Sequence, residues 1–104
     1  MQNWDFNISF VPEAIIDIYE ITRYYEIQQP GLGKEFYEYI NESLELLKIF
    51  PYIYKRFYKK YRISILSKFP FNIVYQIDKQ GKNVIIYIVF HQSRNLRSIK
   101  KRLN

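Results

Sequence analysis

Cysteine is absent from this chain, and histidine occurs once, at His91. Those two shortages exclude a disulfide staple, a thiolate nucleophile and a Cys/His zinc site. Glycine is also scarce. Gly31, Gly33 and Gly81 fit no phosphate-cradling loop. Long apolar runs are missing as well. The longest, residues 84–90, falls far short of the roughly 20 residues that cross a bilayer. The N-terminal stretch from Met1 to Asp5 lacks the basic start and apolar run of a signal peptide. The expectation is a cytoplasmic protein with no membrane partner. Acid is missing from one half: among residues 55–104 only Asp78 is acidic. Paired-carboxylate catalysis needs two acids in one cleft, which the basic half does not supply. A Ser-His-Asp arrangement needs Asp78 beside His91, and no nucleophile elbow accompanies them.

What is present is a charge split almost cleanly in two. Residues 1–54 hold nine acids against three bases, a net of −6. Residues 55–104 hold thirteen Lys and Arg against one acid, a net of +12. One part of the molecule should therefore project a positive field that attracts polyanions: nucleic acid, acidic membranes or acidic proteins. Eleven Tyr and eight Phe supply large apolar area with polar tips. At 104 residues the chain is expected to form one domain spanning 1–104.

The periodicity predicts an α+β fold. Residues 6–10 alternate as a short first strand. Pro12 stands where the first residue of a helix is favoured, with Glu13 in its first turn. Ala14, Ile15, Ile18, Ile21, Thr22 and Tyr25 recur at helical spacing until residues 28–31 break the pattern. Phe36, Tyr39, Ile40, Ser43, Leu44 and Leu47 mark a second helix. Glu35, Glu38, Glu42 and Glu45 fall on its solvent face, and Pro51 ends it. The short link predicts an antiparallel helical hairpin. Residues 53–58 then read as a strand, and Lys59-Lys60 as a turn. Residues 61–69 alternate, with Ile63, Ile65 and Ser67 on one face and Arg62, Ser64, Leu66 and Lys68 on the other. Residues 71–78 and 84–90 are strands joined by a hairpin at 79–82 with Gly81 as its turn residue. Strand 84–90 is apolar on both faces, as a central strand is. Residues 94–103 form a short basic C-terminal helix. The sheet of three or four antiparallel strands carries the hairpin on one face.

The chemistry left to such residues needs neither metal nor cofactor. Cleavage of RNA by its own 2′-OH requires positive charge on the phosphorane and two proton transfers. Lys55, Arg56, Lys59, Lys60, Arg62 and Arg94 supply charge. His91 is the natural proton carrier, with Tyr61 and Tyr87 as phenols. The same residues serve equally to bind an acidic protein.

Tyr61-Arg62-Ile63 is followed after five residues by Phe-Pro-Phe-Asn-Ile-Val-Tyr-Gln-Ile-Asp. After the hairpin comes Val-Ile-Ile-Tyr-Ile-Val-Phe-His-Gln-Ser-Arg. With Ala14, Asp17, Ile18 and Tyr24-Tyr25, then Phe36, Leu47 and Pro51, this ordered series resembles the RelE/ParE toxin superfamily of bacterial type II toxin–antitoxin modules. The likeness runs over roughly residues 6–97. The resemblance implies a small α+β toxin that inhibits growth and is neutralised by a cognate, acidic antitoxin. ParE-like members inhibit DNA gyrase, whereas RelE-like members cut mRNA on the ribosome. The Phe-Pro-Phe strand and the exit from His91 to Arg94 are similar to the ParE side. The nuclease pattern is matched in part. Arg62, His91 and Arg94 would be its catalytic residues, but the basic strand carries no Glu and no Tyr follows His91. Lys55, Arg56, Lys59, Lys60, Arg62, Arg97, Lys100, Lys101 and Arg102 are the candidate binding residues. A third reading is a member that only binds its antitoxin. Against each sharp role stands a bland one: Arg62 as a stem covering apolar surface, His91 as a strand-end histidine bonded to backbone, and Lys59-Lys60 as a solvated turn.

Overall fold

The computed structural model describes residues 5–104. The reading of the extreme N-terminus as leaderless therefore falls mostly on residues outside that range. The elements run β1 (Asn7–Phe10), α1 (Pro12–Gln28), α2 (Leu32–Ile49), β2 (Arg56–Tyr58), β3 (Tyr61–Ile65), β4 (Phe71–Asp78), β5 (Asn83–His91) and α3 (Leu96–Leu103). Pro12 begins α1 with its fixed φ. Gly31, at φ 92°, turns the chain into α2. The Glu26 carboxylate accepts the Gly31 and Gly33 backbone N–H groups at 3.1 Å. Two donors that the helix start leaves without intrahelical partners are satisfied in this way.

The expected sheet of three or four antiparallel strands has four, β2 to β5, and the expected first strand, β1, joins it as a fifth. The sheet order is β1-β5-β4-β3-β2. β1 lies parallel to β5, with Phe10 opposite Ile86. The first strand thus closes the edge beside β5, and both β4 and β5 become interior strands.

The two sheet faces are covered by different layers. On one, α1 and α2 bury Ala14, Phe36, Ile40 and Leu47 against Ile73, Tyr75, Val84 and Ile86. Aromatic rings join this core, with Phe36 edge-on to Phe69 at 5.2 Å. On the other face, Val74, Ile88 and Phe90 meet Ile99 of α3. The pleat inverts in β5, where Val74 opposes Ile88 but Tyr75 opposes Ile86. Tyr87 is the extra residue of this bulge. It sends both Tyr87 and Ile88 toward α3.

Several local expectations change. The strand read at 53–58 shrinks to Arg56–Tyr58, because residues 51–55 turn back on themselves: the Ile53 N–H bonds the Phe50 carbonyl at 3.3 Å. β3 stops at Ile65, where the Leu66 N–H bonds the Phe71 carbonyl and closes the connection to β4. In the 79–82 hairpin the left-handed residue is Lys82, at φ 47°, not Gly81. Ile15, counted with the inward stripe of α1, is 55% exposed. The C-terminal helix begins at Leu96, and the Asn95 side chain caps it by accepting the Arg97 N–H at 2.7 Å.

Candidate functional site

The candidate binding residues gather on the β2–β3 hairpin and on α3. Lys59, at φ 49°, holds the tight turn between the two strands. The flanking residues stack: the Tyr58 and Tyr61 rings lie 6.4 Å apart at 14°. The Lys59 and Lys100 ammonium groups sit 5.2 Å and 5.5 Å from the Tyr58 ring. The Tyr58 hydroxyl donates to Asn104 Oδ1 at 2.6 Å, and Lys59 Nζ donates to the same oxygen at 3.0 Å. Tyr87 meets Tyr61 edge-on at 5.0 Å. Burial, and then the neighbouring Tyr61, raises the pKa of the Tyr87 phenol. Lys55, Arg56 and Lys60 are exposed on the hairpin and Arg97 and Lys101 on α3, while Arg94, also exposed, stands in the turn after β5.

Two of the predicted cations are engaged internally. Arg62 projects toward the face shared with the helical hairpin. Its Nη1 donates to the Tyr54 carbonyl at 2.6 Å, and its guanidinium lies 5.2 Å from the Tyr52 ring. It ties the 51–55 segment to the sheet. Tyr75, directly opposite Arg62 on β4, donates its hydroxyl to the Pro51 carbonyl at 2.7 Å. Burial pushes the Tyr75 phenol up to about 12, against the pull of the Arg62 charge. Arg102 forms a two-pronged pair with Asp17 at 3.1 Å and 2.7 Å.

Of the three residues of the nuclease pattern, Arg62 stands apart from the other two. His91 and Arg94 share one turn, in which the Arg94 N–H bonds the His91 carbonyl at 2.9 Å. Arg62 opposes Tyr75, which opposes Ile86. At about 3.3 Å per residue, His91 lies roughly 15 Å further along β5. His91 Nδ1 faces Ser93, accepting its backbone N–H at 3.0 Å and lying 2.8 Å from its hydroxyl. The ring also stands edge-on to Phe71 at 5.2 Å. Among the described residues, no cluster of three or more His, Asp or Glu could hold a metal, and no helix is long and apolar enough to cross a membrane.

The sequence reading missed a second surface. Ile15, Ile16, Tyr19, Tyr24 and Ile27 of α1 are all more than half exposed. A groove of about 330 Å³ runs between α1 and α2, lined by Phe10, Ile15, Tyr19, Tyr37 and Leu44. The available signal was apolar residues falling off the 14–18–21–25 stripe, so that α1 is apolar on more than one side. Exposed apolar surface of this kind marks an interaction site. Asp17 was also missed as a tie, because its partners lie more than seventy residues away.

The ParE toxin of the type II parDE toxin–antitoxin system is the family whose model matches residues 8–96. The chain belongs to this family, within the RelE/ParE toxin superfamily. Solved structures share the fold. The chromosomal ParDE system from P. aeruginosa superimposes with a TM-score of 0.71 at 18% identity, over 83% of this chain and 95% of that one. The isolated E. coli RelE toxin does so at 0.65 and 17%, over 95% and 99%. The RelBE2 toxin–antitoxin complex from Mycobacterium tuberculosis gives 0.61 and 15%, over 84% and 98%. The comparison with curated proteins returned no match.

Proposed function

We propose that residues 1–104 act as one toxin domain that inhibits DNA gyrase by direct protein contact and is neutralised by a cognate acidic antitoxin in the cytoplasm. The observation that carries this reading is the ParE family match over residues 8–96. The separation of Arg62 from His91 and Arg94 supports it, because metal-free RNA cleavage needs charge and proton carriers around one phosphate. An antitoxin partner is supported by two surfaces: the apolar groove between α1 and α2 and the basic face formed by the β2–β3 hairpin and α3. Lys55, Arg56, Lys59, Lys60, Arg97, Lys100 and Lys101 would meet its acidic segment, while Arg62 and Arg102 support the surface from within. The neighbouring structures include toxin–antitoxin complexes.

A second reading is mRNA cutting on the ribosome. The stacked Tyr58–Tyr61 pair flanked by Lys59 and Lys100 favours it, since aromatic platforms beside cations suit single-stranded nucleic acid. The test is expression without antitoxin, followed by parallel assays of gyrase supercoiling and of mRNA cutting on ribosomes. Inhibited supercoiling supports the first reading and cut mRNA the second. Harmless expression with intact antitoxin binding supports a member that only binds. Salt separates the two targets further. RNA binding weakens steeply as salt rises, and a protein contact with an apolar centre weakens less.

A further inference from the structure

α3 is attached unevenly. Ile99 is its only buried residue. Its polar ties to the rest of the chain cluster at its C-terminal end. Arg102 pairs with Asp17, the Leu103 carbonyl accepts the Tyr61 hydroxyl at 3.4 Å, and Asn104 accepts from Tyr58 and Lys59. The opposite end is a turn at residues 92–95 leading into the Asn95 cap. Asp17 is well placed as an anchor. β1 ends opposite Ile86, so the β5 edge beyond it is open. There Asp17 Oδ2 accepts the Val89 N–H at 3.0 Å. One carboxylate on α1 therefore holds both the bare edge of β5 and the last turn of α3.

An eight-residue helix carrying Arg97, Lys100, Lys101 and Arg102 is too short, and too uniformly charged, to persist undocked in water. Its release from the sheet and its unfolding are thus one event. Beneath it lie Val74, Ile88 and Phe90, fringed by Phe57, Ile63 and Tyr87. We propose that α3 is a hinged strap, locked at its C-terminal turn by the Asp17–Arg102 pair, whose opening uncovers this apolar strip. Asp17 and Arg102 are its latch, and residues 93–95 its hinge, just after Gln92, which donates to the Pro70, Leu66 and Phe71 carbonyls.

Amide hydrogen exchange on the whole chain tests this in the parent and in Arg102→Gln. The expected result is exchange about tenfold faster at residues 99–103, as local opening predicts, with β4 and Val89 unchanged. Arg102→Lys keeps the charge but loses the two-pronged geometry, and should fall between the two. Raising salt to about 1 M should speed α3 exchange in the parent, because partly exposed pairs are screened, and leave Arg102→Gln unaffected. An apolar fluorescent dye should bind Arg102→Gln more than the parent. Equal α3 protection in both proteins overturns the latch. So does acceleration that spreads equally into β4, which would make Arg102 a general stabiliser. Fast α3 exchange without added dye binding overturns the uncovering. If Arg102→Gln does not fold, Asp17→Asn, which keeps an acceptor for the Val89 N–H, is read against the same outcomes together with the parent's salt response.

Discussion

The two faces of the sheet are built on different terms. The hairpin face buries rings and branched side chains from two helices of 17 and 18 residues. The α3 face is covered by eight residues that bury one side chain. The first carries the acidic Glu35, Glu38, Glu42 and Glu45 on its outer surface, and the second carries Arg97, Lys100, Lys101 and Arg102 on α3. Stability is concentrated on one face and charge available for binding on the other. A domain arranged in this way can alter its basic surface without unfolding its core.

The largest expected effect tests that asymmetry at its strong end. Phe36 is fully buried and touches Tyr25, Phe69 and Phe71. Phe36→Ala should cost about 3–5 kcal/mol in chemical denaturation and unfold the whole chain. Ile99→Ala, on the other face, should cost about 2 kcal/mol, with faster amide exchange confined to residues 96–103. Equal and global losses from both substitutions would erase the comparison.

Alkaline titration sharpens it next. The Tyr75 pKa is raised in the folded state to about 12 from 10.0. The unfolded chain therefore loses this proton first. The contribution of Tyr75 is intact below pH 10 and is lost as pH climbs through about 12, roughly 2–3 kcal/mol in all. Denaturation midpoints measured between pH 9 and 12 should fall steeply in the parent. They should fall less in Tyr75→Phe, which gives up about 1 kcal/mol at neutral pH with the bond to the Pro51 carbonyl. A parallel decline in the two proteins would rule out this role.

Arg62→Ala should cost about 1.5 kcal/mol by freeing the Tyr54 carbonyl. Proteolysis should show the 51–55 segment loosened. If Arg62 instead served only a ligand, stability would hold and activity alone would fall. Smallest of all, Lys59→Ala with Lys100→Ala should change stability by no more than about 0.5 kcal/mol. The same pair should weaken binding of an acidic antitoxin segment in calorimetry, and more so at low salt.

The periodic elements were legible without coordinates. The 3.6-residue stripes of α1 and α2 and the alternation of β3, β4 and β5 follow from which side chains must be buried. Other features depend on partners remote in the chain. β1 is four residues long and pairs in parallel with a strand more than seventy residues later, which no local pattern encodes. The bulge at Tyr87 leaves the composition of β5 unchanged while reversing its faces. Arg62 was correctly separated from Ile63 by face, yet nothing local revealed that its guanidinium would be spent on the Tyr54 carbonyl. The basic surface was legible as charge. Its division into exposed cations and internal ties was not, because Asp17 and Arg102 lie at opposite ends of the sequence.

The action proposed for this ParE family chain is contact with gyrase rather than RNA cutting. Supercoiling of relaxed plasmid by purified gyrase, with the purified protein in excess and then with its antitoxin added, tests it most directly. Supercoiling is expected to stop and the antitoxin to restore it. Undiminished supercoiling by a preparation that cuts mRNA on translating ribosomes would contradict it.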